Sequence, residues 1–250
     1  MARKNNIGRR PTGTPNTGRT RGNTGGTLVE GDDTLVDIVE VPDQGLDFFE
    51  RNKTLILGIV FGIAALVIGY FVYQTFVMKP AQENAMAELR SAQKDFERDS
   101  FARALVNPNP QILGFVDIIQ EYGSTPAGNL ANYYAAVSYL NLGKYEAAIS
   151  YMNDFDANGT FLEAMKYGVI GDAQGELGNF DAAIDNYEQA IAAAGDNFTT
   201  GGYYLNKLAL LYRHQGQNED ALAAFRRLKK DYGQSAEAAG ADKYIQMLEM

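Results

Sequence analysis

The 250 residues contain one histidine, His214, and no cysteine. Without cysteine there is no disulfide framework, no thiolate metal site and no thiol nucleophile. His214 stands between Arg213 and Gln215 at what reads as a helix end. No nucleophile or paired carboxylate surrounds it in the pattern that acid–base chemistry needs. It is expected to be a solvated side chain. Gly168, Gly171 and Gly175 do not follow a strand, as the glycines of a dinucleotide-binding turn do, and no phosphate-binding loop motif is present. They read as helix-packing glycines, and the paired acids nearby read as solvated faces. No catalytic residue, cofactor or metal ligand is therefore expected. The chemistry left is that of surfaces.

The first surface lies in a stretch of 25 residues without a charge, Thr54 to Met78, closed by Lys53 and Lys79. As a helix it is about 37 Å long, enough to cross a hydrocarbon core of about 30 Å. Inside hydrocarbon a helix satisfies every backbone polar group internally. Tyr70, Tyr73 and Gln74 suit the headgroup layer at one end. Gly58, Gly62, Ala65 and Gly69 share one face, and Gly58-Ile-Val-Phe-Gly62 is a small-xxx-small motif that lets a partner helix approach closely. The run begins too far into the chain, and is too long, for a cleaved leader, so it is expected to be an uncleaved signal anchor.

The parts on either side differ in charge. Residues 1–26 hold six basic residues and no acid, and residues 27–53 hold eight acids with only Arg51 and Lys53. Residues 79–250 carry 14 basic against 23 acidic side chains, a net −9. Residues 1–45 are expected to be disordered, a basic arm followed by an acidic-apolar stretch. Within that stretch residues 27–43 could add a strand to a partner's sheet edge. The arm could touch anionic lipid or the phosphates of ribosomal RNA. The plainer reading, a solubilising tail that helps to set topology, is the expectation here, so nucleic acid is the lesser partner class. Residues 46–79 read as an interfacial turn, Leu46-Asp-Phe-Phe49, leading into the transmembrane helix.

Residues 80–250 read as helices with short glycine breaks. Pro80 marks a helix start or a bend. Ala85, Leu89, Ala92 and Phe96 form one apolar stripe, and Ile112, Phe115, Ile118 and Ile119 form another, with Asn107-Pro-Asn-Pro110 breaking the chain between them. Then a pattern recurs. Gly143-Lys-Tyr-Glu-Ala-Ala148 returns 35 residues later as Gly178-Asn-Phe-Asp-Ala-Ala183, and 38 residues after that as Gly216-Gln-Asn-Glu-Asp-Ala221. This resembles the tetratricopeptide repeat, a pair of antiparallel helices with a period near 34. The glycines suit left-handed turns between the two helices. Ala148, Ala183 and Ala221 suit the closest helix approach, facing Ala136, Gly171 and Ala209. Tyr145, Phe180, Tyr187 and Phe225 are expected to fill the gaps between repeats. Glu121-Tyr-Gly-Ser-Thr-Pro-Ala127 and Asp231-Tyr-Gly-Gln-Ser-Ala-Glu237 echo each other as connecting loops. Ser235 to Met250 then makes a helix that covers the open end. The fold expected is all-α: one transmembrane helix followed by a solenoid of helix pairs.

The second surface follows from that register. The first helix of each pair lines a concave groove, which should include Leu130, Tyr133, Val137, Met165, Asp172, Tyr203, Asn206, Leu210 and Arg213. It is apolar and tyrosine-bearing rather than a basic clamp for a terminal carboxylate. For any one of these residues the plainer role is packing against the neighbouring helix.

The order of features resembles a known family, the ancillary subunit of the bacterial SecYEG translocon. The resemblance is carried by Asp47-Phe-Phe-Glu-Arg-Asn52 entering the span, by Gln82 to Phe96 leaving it, and by the small repeat domain that follows. Residues 1–45 depart from the family pattern. The resemblance implies a non-enzymatic, single-pass protein of the inner membrane. Its partners would be the translocon channel, a membrane-anchored periplasmic chaperone and newly exported proteins. Two rivals are a membrane-anchored scaffold for another cell-envelope complex and a cytosolic-facing tether that binds RNA through the arm. For topology, the basic residues flanking the span point to a cytoplasmic solenoid. A large domain translocates largely regardless of its charge, however, whereas six positive charges on a short arm resist export. The arm is therefore expected in the cytoplasm and the solenoid in the periplasm.

Overall fold

A computed structural model of the chain describes residues 43–157, 159 and 161–250. The basic arm and the stretch with strand character lie outside the described residues, apart from a short segment from Asp43 onward. Among the described residues every regular element is helical. The chain groups into two compact units, 1–59 and 60–250.

In the first unit the described residues are the opening of helix α1 (Asp43–Tyr73). Leu46 to Phe49 were expected in a turn. They are already helical, because the apolar sequence that follows lets the helix run back through them.

The second unit begins within α1. Glu50–Phe96 is one continuous helical run and, among the described residues, the one long and apolar enough to cross a membrane. Gln74–Met78 forms a π-helical turn inside it, closed by the Lys79 amide donating to the Gln74 carbonyl. Pro80 explains the wider turn. Its ring would clash with the carbonyl four residues back in a tight α register, so the helix loosens instead of bending or breaking.

Helix α2 (Lys79–Phe96) buries the expected stripe: Ala85, Leu89 and Ala92 are inaccessible and Phe96 is half-buried. They pack with Phe115 and Ile118 of α4 (Phe115–Tyr122) and with Ala127, Ala131 and Ala135 of α5 (Pro126–Asn141). Phe96 sits edge-on to Phe115 and Tyr134 and to Phe101 of the short helix α3 (Phe101–Leu105). The Gln82 side chain accepts from the Ala127 amide at 3.0 Å, which satisfies one of the amides left open at the start of α5. The apolar run of 112–119 begins as helix only at Phe115. Gly114 approaches the Leu105 carbonyl too closely for any side chain, and its amide donates to Asp117 at 3.0 Å.

Three helix pairs follow. They are α5 with α6 (Tyr145–Asp154), α7 (Leu162–Glu176) with α8 (Phe180–Ala194), and α9 (Phe198–His214) with α10 (Asn218–Asp231). Helix α11 (Ala238–Leu248) packs on α10. The turn glycines Gly143, Gly178 and Gly216 have φ of +69, +78 and +75°, the left-handed region their sequence context called for. Ala148, Ala183 and Ala221 are fully buried, as are Ala136 and Ala209 opposite. The two echoing loops share one hydrogen-bond pattern. The amides of Thr125 and Ser235 donate to the carbonyls of Tyr122 and Tyr232 at 2.8 Å, and their hydroxyls accept from Gly128 and Ala238.

The aromatic residues divide. Tyr187 and Phe225 are buried in the gaps between pairs, with Phe225 stacked on Tyr244 of α11. Tyr145 and Phe180 also lie between neighbouring pairs, but nearer the surface. Each opens a second helix and is only half-buried. Tyr145 donates to Glu176 at 3.2 Å and Phe180 lies edge-on to His214. At the first turn of its helix, each faces the neighbouring first helix near the surface rather than the core.

Candidate protein-binding groove

The four small residues of the apolar helix are all exposed, and a methyl added at Gly58, Gly62 or Gly69 would meet nothing within 4 Å. Their backbone is open to close approach by another helix.

The groove residues fall into three sets. Leu130, Tyr133 and Val137 of α5 lean on a core of Met152, Phe155, Val169 and Ile170, so packing is much of their role. Tyr133 also directs its hydroxyl at the Met165 sulfur, 4.0 Å away. Burial, and then Tyr134 beside it, pushes the Tyr133 hydroxyl up to about 12. Arg213 is turned aside: its guanidinium lies 4.7 Å over the ring of Tyr244. Asn206 and Leu210 are half-buried on α9, and Tyr203 is 42% exposed.

Asp172 is the centre of the third set. Its Oδ1 accepts from the Tyr187 hydroxyl at 2.7 Å and from the Lys207 ammonium at 2.6 Å. Lys207 in turn lies 5.0 Å from the centre of the Tyr203 ring. Burial pulls the Lys207 pKa down, but the Asp172 charge and the hydrogen bonds to Asp172 and Tyr203 outweigh it, and the net shift is upward. The Tyr187 hydroxyl is raised first by burial and then by the Asp172 charge, and Tyr204 follows the same order of causes. This polar hub joins α7, α8 and α9. Sequence reading found Asp172 and Tyr203 but missed Lys207 and Tyr187. The repeat register named Asp172 and Leu210 as groove residues, but the contact across the two helices is made by Lys207, one turn before Leu210.

Beside the hub is a cavity of about 550 Å³, lined by Asp172, Glu176, Phe180, Lys207, Leu210 and His214 among others. His214, expected at a solvated helix end, forms part of its rim with Phe180. The helix-packing reading of the glycines holds at two positions. Gly168 lies directly against the ring of Tyr204, and a methyl at Gly171 would meet the Tyr187 ring at 2.9 Å. Gly175 has only ordinary contact, 3.8 Å from the Ala183 methyl.

Two segments match tetratricopeptide-repeat family models, residues 169–239 and residues 130–158. They fall on the three helix pairs, leaving out the start of α5 and the first half of α7. No curated protein sequence matches the chain. Similar solved structures include two of MamA. One has 20% identity and a TM-score of 0.39, over 54% of this chain and 86% of that one. The other has 18% identity and a TM-score of 0.48, over 66% and 90%. A third, of nearly identical TPR-like repeats assigned as a kinesin light chain of Podosopora anserina, has 12% identity and a TM-score of 0.49 over 67% and 96%. Tetratricopeptide repeats are protein–protein interaction scaffolds, and no catalytic family is indicated among these matches. The groove with its polar hub is the surface such a scaffold would offer.

Proposed function

We propose that the chain is a single-pass accessory of bacterial protein export, which holds a periplasmic tetratricopeptide solenoid at the inner membrane beside the SecYEG channel. Its groove would receive a membrane-anchored chaperone or the exported chains themselves. The observation that carries the membrane half of this reading is the continuous run Glu50–Phe96. Its apolar part is exposed, while its second part is built into the repeat core through Ala85, Leu89 and Ala92. Such a joint has no flexible linker, so a partner gripping the membrane segment would hold the solenoid at a fixed height. The export half rests on the resemblance of Asp47–Asn52 and Gln82–Phe96 to the translocon subunit family.

Co-purification in mild detergent is the test. Recovery of the channel subunits with the full chain supports the reading. Recovery of a different envelope complex, with the channel absent, replaces it with the general scaffold. Topology is tested on spheroplasts: added protease should digest the solenoid and spare an N-terminal tag. Loss of the tag with survival of the solenoid removes the export reading.

A further inference from the structure

The cavity between α7, α8 and α9 has a definite chemistry. Half-buried Asp172 and exposed Glu176 stand one turn apart on α7 and both line it. The two bonds that Asp172 accepts both fall on Oδ1, so Oδ2 keeps its lone pairs for a further donor. Glu176 is exposed and receives only the Tyr145 hydroxyl, at 3.2 Å. Lys207 is the one ammonium in the lining, and Asp172 already holds it. Asp172 and Glu176 against Lys207 leave the lining's carboxylates one charge ahead, and residues 79–250 as a whole carry −9. The other walls are Phe180, Leu210 and Leu211, an aromatic face and two aliphatic side chains.

From this arrangement we infer that the cavity takes an arginine side chain presented by an extended segment of a protein partner. The guanidinium would donate to Asp172 Oδ2 and to Glu176, its plane lying against Phe180, while its methylenes rest on Leu210 and Leu211. A guanidinium suits the site because it offers several donors in a fixed plane, bonds well to carboxylates and stacks on aromatic faces. A carboxylate would meet only Lys207, already held, and two like charges. The inference rests on the reading of the groove as a protein-binding surface and names what it selects.

The test uses the full chain in detergent and a displayed library of random 12-residue peptides. Wild type should enrich peptides with arginine at one fixed position. The Glu176→Gln variant, altered at an exposed side chain, should bind an enriched peptide at least about tenfold more weakly. Glu176→Lys should turn the preference toward Asp or Glu. Replacing the peptide's arginine with citrulline, which removes the charge at nearly constant shape, should cost a similar factor. Selected peptides without basic preference, or unchanged binding to Glu176→Gln, overturn the arginine pocket and leave the groove reading standing. Failure of the wild-type chain to retain any peptide overturns both.

Discussion

Gly168→Ala probes the packing that sets the separation of α7 and α9. A methyl at this position lands on the Tyr204 ring and hydroxyl, well inside van der Waals contact. The ring has little room to move. It is buried, stacked 6.4 Å from Tyr187 and edge-on to Tyr203 at 5.1 Å. Alanine for glycine inside a helix favours the fold by about 1 kcal/mol. Overpacking costs about 1–3 kcal/mol, towards the upper end where neighbours cannot relax. The expected net is a loss of about 1–2 kcal/mol, or a fall of roughly 2–8 °C in Tm for a domain of this size. Gly175→Ala on the same helix is the control. Its methyl meets the Ala183 methyl at 3.8 Å, so propensity wins and stability should rise by up to about 1 kcal/mol. Thermal and urea unfolding by far-UV circular dichroism, with full-length chains in one detergent, compares the two. In a Tyr204→Leu background the Gly168→Ala penalty should shrink, since the two residues are coupled by contact. A neutral or stabilising Gly168→Ala, indistinguishable from Gly175→Ala, would refute the α7–α9 packing.

Three further outcomes are expected. Stability should fall steeply above pH 10. The native pKa of Tyr133 is about 12 against 10.0 unfolded, so above pH 10 the unfolded chain releases a proton that the native chain keeps, at about 1.4 kcal/mol per pH unit. Tyr187 and Tyr204 act in the same sense, as does Lys207, whose ion pair is intact below 10.5 and lost as pH rises through its raised native value. Urea titrations at stepped pH should therefore show a shallower alkaline limb for Tyr133→Phe; an identical slope counts against its burial. Ala183→Leu should cost about 1–3 kcal/mol by overpacking the closest approach of α7 and α8, and a melting temperature equal to wild type would show the repeat register to be wrong. Gly62→Leu should weaken co-purification of the membrane partner while leaving the melting of the solenoid unchanged, because nothing among the described residues touches that face; partner recovery equal to wild type would exclude the stripe.

The sequence by itself determined the features that repeat or run locally. The uncharged run of Thr54–Met78 needs no partner to be read, because length and composition alone decide whether a helix can span hydrocarbon. The returns of Gly143, Gly178 and Gly216 with their alanines fixed the helix pairs, because a left-handed turn and a close approach restrict residue type at each position. Tertiary structure alone decided what faces what. The stripe of α2 was legible as apolar, but its partners in α4 and α5 were not, nor was the Gln82–Ala127 bond across 45 residues. Pro80 marked a disturbance, and only the structure showed that the helix meets it with a π-helical turn rather than a break. Tyr145 and Phe180 shared the pattern of gap fillers and do meet the next helix pair, at Glu176 and His214, but only the neighbouring helix decided that they stay half-buried. The hub of Asp172, Lys207 and Tyr187 was hidden for the same reason. Its members come from three helices, and which side chains meet across neighbouring helices has no counterpart in the period of the sequence.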